Sequence, residues 1–178
     1  MKAVVIYNSQ TGFTKRYAEW IAEELACEAV PYDKRNTLAI GDFDTVIFGS
    51  WYHAAMMPGS KWIKKQMAAH PAIRFIVFGT GASPMPSESG SETEIEEAFR
   101  HTFPTETYPH LPHFYMRGGF SMEKLGTADR LLMKMFFSQA EKAAATDPAK
   151  AEMNAVMKSG FDGTNRENIA PLIACVHS

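Results

Sequence analysis

The segment that most restricts the fold is Lys2–Tyr7, KAVVIY, which runs at once into a hydroxyl-rich turn and then a helical pattern. A short β-branched, apolar run without polar alternation suits a strand buried on both faces, as in a parallel sheet. From Gly12 to about Ala26 the apolar residues recur every four positions, at Phe13, Tyr17, Ile21 and Leu25, with Ala18 and Ala22 beside them. That spacing predicts a helix packed by one face.

The alternation continues along the chain. Residues 28–32, 43–49, 72–78 and 113–118 read as further strands, and residues 59–69 as a helix. Ser91-Glu92-Thr93-Glu94 has the form of a capping box and opens a predicted helix to about His101. After the fifth strand the pattern changes. Residues 123–145 read as helical, with Leu125, Leu131, Leu132, Met135 and Phe136 along one side, followed by a second helical stretch at about 148–158. Asn165–His177 reads as a last helix, with Pro171 weakening its start. Strands alternating with helices imply an α/β fold, a parallel sheet covered on both faces with right-handed crossovers. At 178 residues one domain is expected, with a helical addition at about 121–158. The polar loop at 83–92 and the proline-marked connection at 103–112 do not read as interdomain linkers.

Composition narrows the function classes. With 46% hydrophobic and 21% charged residues, the chain is neither disordered nor fibrous. No apolar run approaches the ~20 residues that cross a bilayer, and the N-terminus enters a strand rather than a signal peptide. Cys27 and Cys175 form no disulfide framework or metal-ligand spacing, so a reducing cytoplasm is expected. A net charge of −2 argues against a nucleic-acid partner. Eleven methionines suit a Met-rich core.

The run Ser9-Gln10-Thr11-Gly12-Phe13-Thr14 lies directly after the first strand and at the start of the first helix. A helix N-terminus offers N–H groups and partial positive charge, which together attract anions. Three hydroxyls add donors without adding charge, and Gly12 permits unusual backbone dihedrals. The chain has neither G-x-x-x-x-G-K-[ST] nor a G-x-G-x-x-G after the first strand, which excludes the nucleotide-triphosphate loop and the dinucleotide fingerprint.

SQTGFT matches the [ST]-x-T-G-x-T phosphate signature of flavodoxins, and the chain resembles the three-layer flavodoxin-like fold with strand order 2-1-3-4-5. MRGGFSMEKLGTADRLLMKM and FDGTNRENIAPLIACV resemble a branch of flavodoxin-domain proteins common in anaerobic bacteria and related to menaquinone-dependent protoporphyrinogen dehydrogenase. The resemblance implies noncovalent FMN, its phosphate held by Ser9, Gln10, Thr11, Gly12, Phe13 and Thr14. It places the flavin ring between two loops, Gly49–Gly59 and Gly79–Pro84, with Ser50, Trp51, Tyr52, His53, Thr80, Gly81 and Ala82 as contacts. Trp51 and Tyr52 are the stacking candidates. His53 is a candidate proton or hydrogen-bond donor, or else a surface histidine. His110 and His113 lack the cysteine or carboxylate cluster of a metal site, and no metal is expected. The loops carry no basic residue before Lys15 and Lys61, so a low flavin potential is expected.

Three roles fit. An electron carrier would serve a partner reductase or oxidoreductase, docking through Glu88, Glu92, Glu94, Glu96 and Glu97. A flavoenzyme would act on a quinone or tetrapyrrole. Residues 117–150 support that reading with six basic residues to four acidic ones, on a Leu/Met/Phe-bearing helix suited to peripheral membrane contact or to packing on the sheet. A non-redox interaction module on the same fold is the third.

Overall fold

The computed structural model describes residues 2–53, 56–85, 92–144 and 155–178, and in it the β-branched runs form a five-stranded parallel sheet. The strands are β1 (Ala3–Tyr7), β2 (Glu28–Pro31), β3 (Thr45–Trp51), β4 (Arg74–Gly81) and β5 (His113–Arg117), in the order β2-β1-β3-β4-β5. This is the expected 2-1-3-4-5 arrangement. The helices are α1 (Phe13–Glu24), α2 (Ser60–Ala69), α3 (Glu92–Thr102), α4 (Thr127–Ala144) and α5 (Ala170–His177). The chain divides into two compact units, Met1–Gly118 with Thr164–Ser178, and Gly119–Gly163. The helical addition read at about 121–158 falls within the second.

In the first unit, the strand period of two sends alternate side chains into two cores. Val5, Ile47, Ile76, Phe78 and Met116 pack with Tyr17, Ala18 and Ile21 of α1 and with Leu172 and Val176 of α5. Val4, Ile6, Val46, Phe48, Phe75 and Val77 pack with Ile63 of α2, Phe99 of α3 and Phe103. With both faces covered, the carboxyl ends of the strands remain for a site. The order reverses between β1 and β3, and open α/β sheets bind ligands at such a reversal.

Several boundaries differ from the sequence pattern. β3 runs two residues beyond Gly49 and β4 three beyond Phe78, because Ser50 pairs with Gly79 and Trp51 with Thr80. Trp51, Gly79, Thr80 and Gly81 are therefore strand residues, not loop residues. The glycines are what let the ladder continue under aromatic cover. A Cβ on Gly49 would lie 2.1 Å from the Phe78 ring, and one on Gly79 would lie 2.4 Å from the Tyr52 ring. Ser91 of the capping box lies outside the described residues. The helix read from 123 begins instead as a 3₁₀ turn, Met122–Lys124, and α4 starts only at Thr127, after Gly126. Of the stretch read at 148–158, residues 155–158 are helical and the remainder lies outside the described residues. The last helix is divided as well. The Asn165 side chain accepts from the Glu167 N–H at 3.0 Å and opens a 3₁₀ turn, and α5 follows with Pro171 in its first turn, where its missing N–H costs little.

Tyr17 ties the sequence-distant parts of this unit together. Its side chain is fully buried. Its hydroxyl donates to the Arg117 carbonyl at 2.7 Å and accepts from the Asn165 N–H at 3.0 Å and the Asn168 Nδ2 at 3.1 Å. One oxygen thus holds the end of β5 and the start of the returning C-terminal segment against α1. Arg16 to Thr164 at 2.6 Å, and Arg166 to Glu23 at 2.9 Å, reinforce the seam. At the far end of β5, His113 Nε2 meets Glu96 at 2.6 Å, Glu96 accepts from Arg100 at 2.6 Å, and the His113 ring stacks on Phe99 at 3.7 Å. His113 therefore anchors α3.

In the second unit, β6 (Gly119–Phe120) and β7 (Phe161–Asp162) form a short antiparallel pair that the sequence pattern does not suggest. Arg130 donates to the carbonyls of Met122, Glu123 and Leu125 and so fixes the 3₁₀ turn to α4. Phe137 is the buried anchor of α4, edge-on to Phe120 at 5.9 Å. Leu131, Leu132, Met135 and Phe136, read as one side of a helix, do share a side, but each is more than half exposed.

Replacing Tyr17 by Phe keeps the ring and deletes three part-buried hydrogen bonds. Urea denaturation should show a loss of about 1–3 kcal/mol, since each hydrogen bond contributes roughly 0.5–1.5 kcal/mol net.

Candidate functional site

β1 ends at Tyr7, and α1 begins at Phe13 behind Gly12, whose φ is +94°. This left-handed residue turns the chain from strand to helix within five positions, a conformation that favours glycine. The Gly12 N–H donates to Ser9 Oγ at 3.1 Å and closes the turn. Gln10 is exposed, Ser9 and Thr11 are half-buried, and Phe13 is buried. The first turn of α1 carries no acidic residue to compete for its N–H groups. Beside the loop, Lys15 pairs with Glu19 at 3.6 Å and Arg16 donates to Thr164. Within Ser9–Thr14 the donors are neutral hydroxyls and amides.

Thr14 is 2% exposed, and its Oγ1 lies 2.8 Å from the Oγ1 of Thr80, itself 3% exposed. The two hydroxyls carry two protons, and the bond between them consumes one. The other remains to donate, from Thr14 on the helix or from Thr80 on the strand according to which hydroxyl donates within the pair. The Thr80 side chain thus meets the loop after β1.

Around this loop stand the ends of β3, β4 and β5. Ser50 is fully buried and donates to the Pro58 carbonyl at 2.8 Å, so its hydroxyl ties the end of β3 to Pro58. Trp51, half-buried, ends β3. Tyr52 covers Gly79 and lies 6.3 Å from Tyr115, within the core on the α2 and α3 side. His53 is exposed, and its backbone pairs with Met56. Gly81 accepts from the Gly118 N–H at 2.7 Å, and a Cβ on Gly118 would lie 3.4 Å from that of Phe13. The loop after β4 therefore starts at Ala82, beside the end of β5. Tyr115 donates to the Ser83 carbonyl at 2.7 Å and fixes that loop. Burial pushes the Tyr52 and Tyr115 phenols well above the ordinary tyrosine value, so both keep their protons at neutral pH.

The structure therefore gathers Ser9–Thr14, Thr80, Gly81 and Ala82, with Trp51 at the neighbouring strand end. Ser50 it commits to Pro58, and Tyr52 to packing. Tyr115 and Gly118 were not among the sequence candidates. Strand alternation in HFYMR, with Phe114 and Met116 on one face, is the signal that sets Tyr115 on the other.

A family model described as a flavodoxin domain matches residues 4–147. No curated protein matches the chain. Among solved structures, it is similar to a flavoprotein in complex with FMN from Lactobacillus acidophilus, with 17% identity over 65% of this chain and 91% of that one and a TM-score of 0.46. It is also similar to oxidised flavodoxin 2 from Bacillus cereus, at 15% identity over 66% and 84% with a TM-score of 0.45. A flavodoxin from the domain Archaea is similar at 20% identity over 66% and 82%, with a TM-score of 0.42.

A Cβ at Gly12 meets nothing within 4 Å, so Gly12→Ala tests the backbone alone. Chemical denaturation should show a loss of about 1–2 kcal/mol, the left-handed penalty, and Gly12→Asn should lose less.

Proposed function

Because the chain belongs to the flavodoxin domain family, we propose that it binds one FMN noncovalently at the carboxyl ends of β1, β3 and β4 and carries electrons to or from a partner reductase or oxidoreductase. The observation behind this reading is the buried Thr14–Thr80 hydroxyl pair at the start of α1, which keeps one proton beyond its own hydrogen bond. A phosphate monoester brings acceptor oxygens to a place built of donors, so the residues present fit the group. Ser9, Thr11, Gly12, Phe13 and Thr14 would hold the phosphate. Trp51, Gly81 and Ala82 would border the ring, with the exposed His53 at its rim. Bound FMN supplies one- and two-electron redox chemistry that these side chains lack.

The chain's own residues bind, orient and exclude water. Gly12 sets the turn, and the N-terminus of α1 offsets negative charge. Ser50 ties the end of β3 to Pro58, and Tyr115 fixes the loop after β4. Exposed Glu92, Glu94 and Glu97 on α3 suit docking of a basic partner, whereas Glu96 is committed to Arg100 and His113.

A second reading is direct turnover of a quinone or tetrapyrrole, as in the protoporphyrinogen-dehydrogenase-related branch. The exposed Leu131, Leu132, Met135 and Phe136 favour it, because a carrier has no need of such an apolar helix face. Turnover with a quinone or porphyrinogen as the sole partner supports the enzyme, whereas turnover only through a reductase supports the carrier.

Titration of the purified protein with FMN should give a yellow 1:1 complex with quenched flavin fluorescence. Riboflavin, which lacks the phosphate, should bind at least tenfold more weakly. Absence of any spectral change with either flavin would reject both redox readings.

A further inference from the structure

We propose that Thr80 is a positioning residue for phosphate binding rather than a contact of the flavin ring, an inference that rests on the FMN reading above. Thr80 belongs to β4, where it pairs with Trp51 of β3 and Met116 of β5. Its hydroxyl lies 2.8 Å from that of Thr14, 66 positions away in sequence, and both residues are at least 97% buried.

A hydroxyl pair can orient in either direction. When Thr14 donates to Thr80, the remaining proton sits on the strand, where it serves no ligand in the loop. When Thr80 donates to Thr14, the remaining proton sits on Thr14, in the first turn of α1 and directed to an acceptor in the loop. An anionic oxygen there selects the second orientation, because charge-assisted hydrogen bonds are the stronger ones. Thr80 then satisfies the Thr14 oxygen from below, and the chain of two hydroxyls polarises toward the anion. The position of Gly118 supports this fit. A Cβ there would lie 3.6 Å from that of Thr80 and 3.4 Å from that of Phe13, so the end of β5 holds Thr80 against the loop. The consequence is specific to phosphate. Thr80 strengthens the hold on the phosphate group and leaves the ring's binding unchanged.

The test compares FMN with riboflavin in wild-type protein, Thr80→Val, Thr80→Ser, Thr14→Val and the Thr14→Val/Thr80→Val double variant, with thermal melting as the check of folding. Thr80→Val should weaken FMN about tenfold and change riboflavin affinity less than twofold. Thr80→Ser, which restores the hydroxyl, should recover most of the FMN affinity. The double variant should bind FMN no more weakly than Thr14→Val alone, since the two residues act through one path. Equal weakening of FMN and riboflavin by Thr80→Val would assign Thr80 to the ring or to packing and overturn the proposal. So would unchanged FMN affinity in Thr80→Val, or full additivity in the double variant. Wild-type protein that binds FMN and riboflavin equally would remove the phosphate site and the proposal with it. Wild-type protein that binds neither would overturn the FMN reading as well.

Discussion

The structure depends on how the chain passes from β1 to α1 in five residues. A buried parallel strand must end and a helix must start with its first-turn N–H groups facing outward, because nothing within the helix can accept from them. Gly12 makes the turn through a left-handed conformation, and Ser9 closes it with one hydrogen bond. The rest of the site follows. The first-turn N–H groups and the helix dipole suit an anion. Within Ser9–Thr14 itself the side chains carry no charge, so the loop offers hydroxyl and amide donors, with Lys15 paired to Glu19 and Arg16 donating to Thr164 beside it.

Such a loop needs a rigid floor, and the sheet supplies it. Thr80 projects from β4 to Thr14, and the Gly118 amide is bonded to the Gly81 carbonyl. The Tyr17 hydroxyl holds β5 and the returning C-terminal segment against α1. A single buried oxygen with three partners therefore keeps three sequence-distant segments in register behind the loop. Arg117 and Asn165, both Tyr17 partners, belong to the first unit on either side of the Gly119–Gly163 stretch in sequence.

Much of this was legible in the sequence. The apolar runs and four-residue spacing pointed to the five strands and α1, and the hydroxyl-rich run marked the turn between β1 and α1. The boundary differences share a physical origin. Gly79 and Gly81 look like loop residues, yet both lie in β4, where Tyr52 and Tyr115 occupy the space a side chain would fill. Such cover comes from residues distant in sequence and leaves no local pattern. The place of Tyr52 over Gly79 was likewise invisible until β3 and β4 were in register. The Leu131–Phe136 stripe marked a helical face, but periodicity cannot tell a packed face from an exposed one. Thr80 was named among the ring contacts, and its pairing with Thr14, 66 positions away, appears only in three dimensions.

The central claim is that a charge-poor loop of hydroxyls and amides holds a phosphate group in its fully ionised form. Phosphorus-31 NMR of the FMN complex across pH 5 to 8 tests it most directly. Free phosphate monoesters take up a proton with a pKa of about 6. Donors fixed around the dianion favour that form, so the bound signal should lie apart from that of free FMN and stay constant across the range. A bound signal that titrates near pH 6 like free FMN would show a phosphate left in solvent, and would contradict the account.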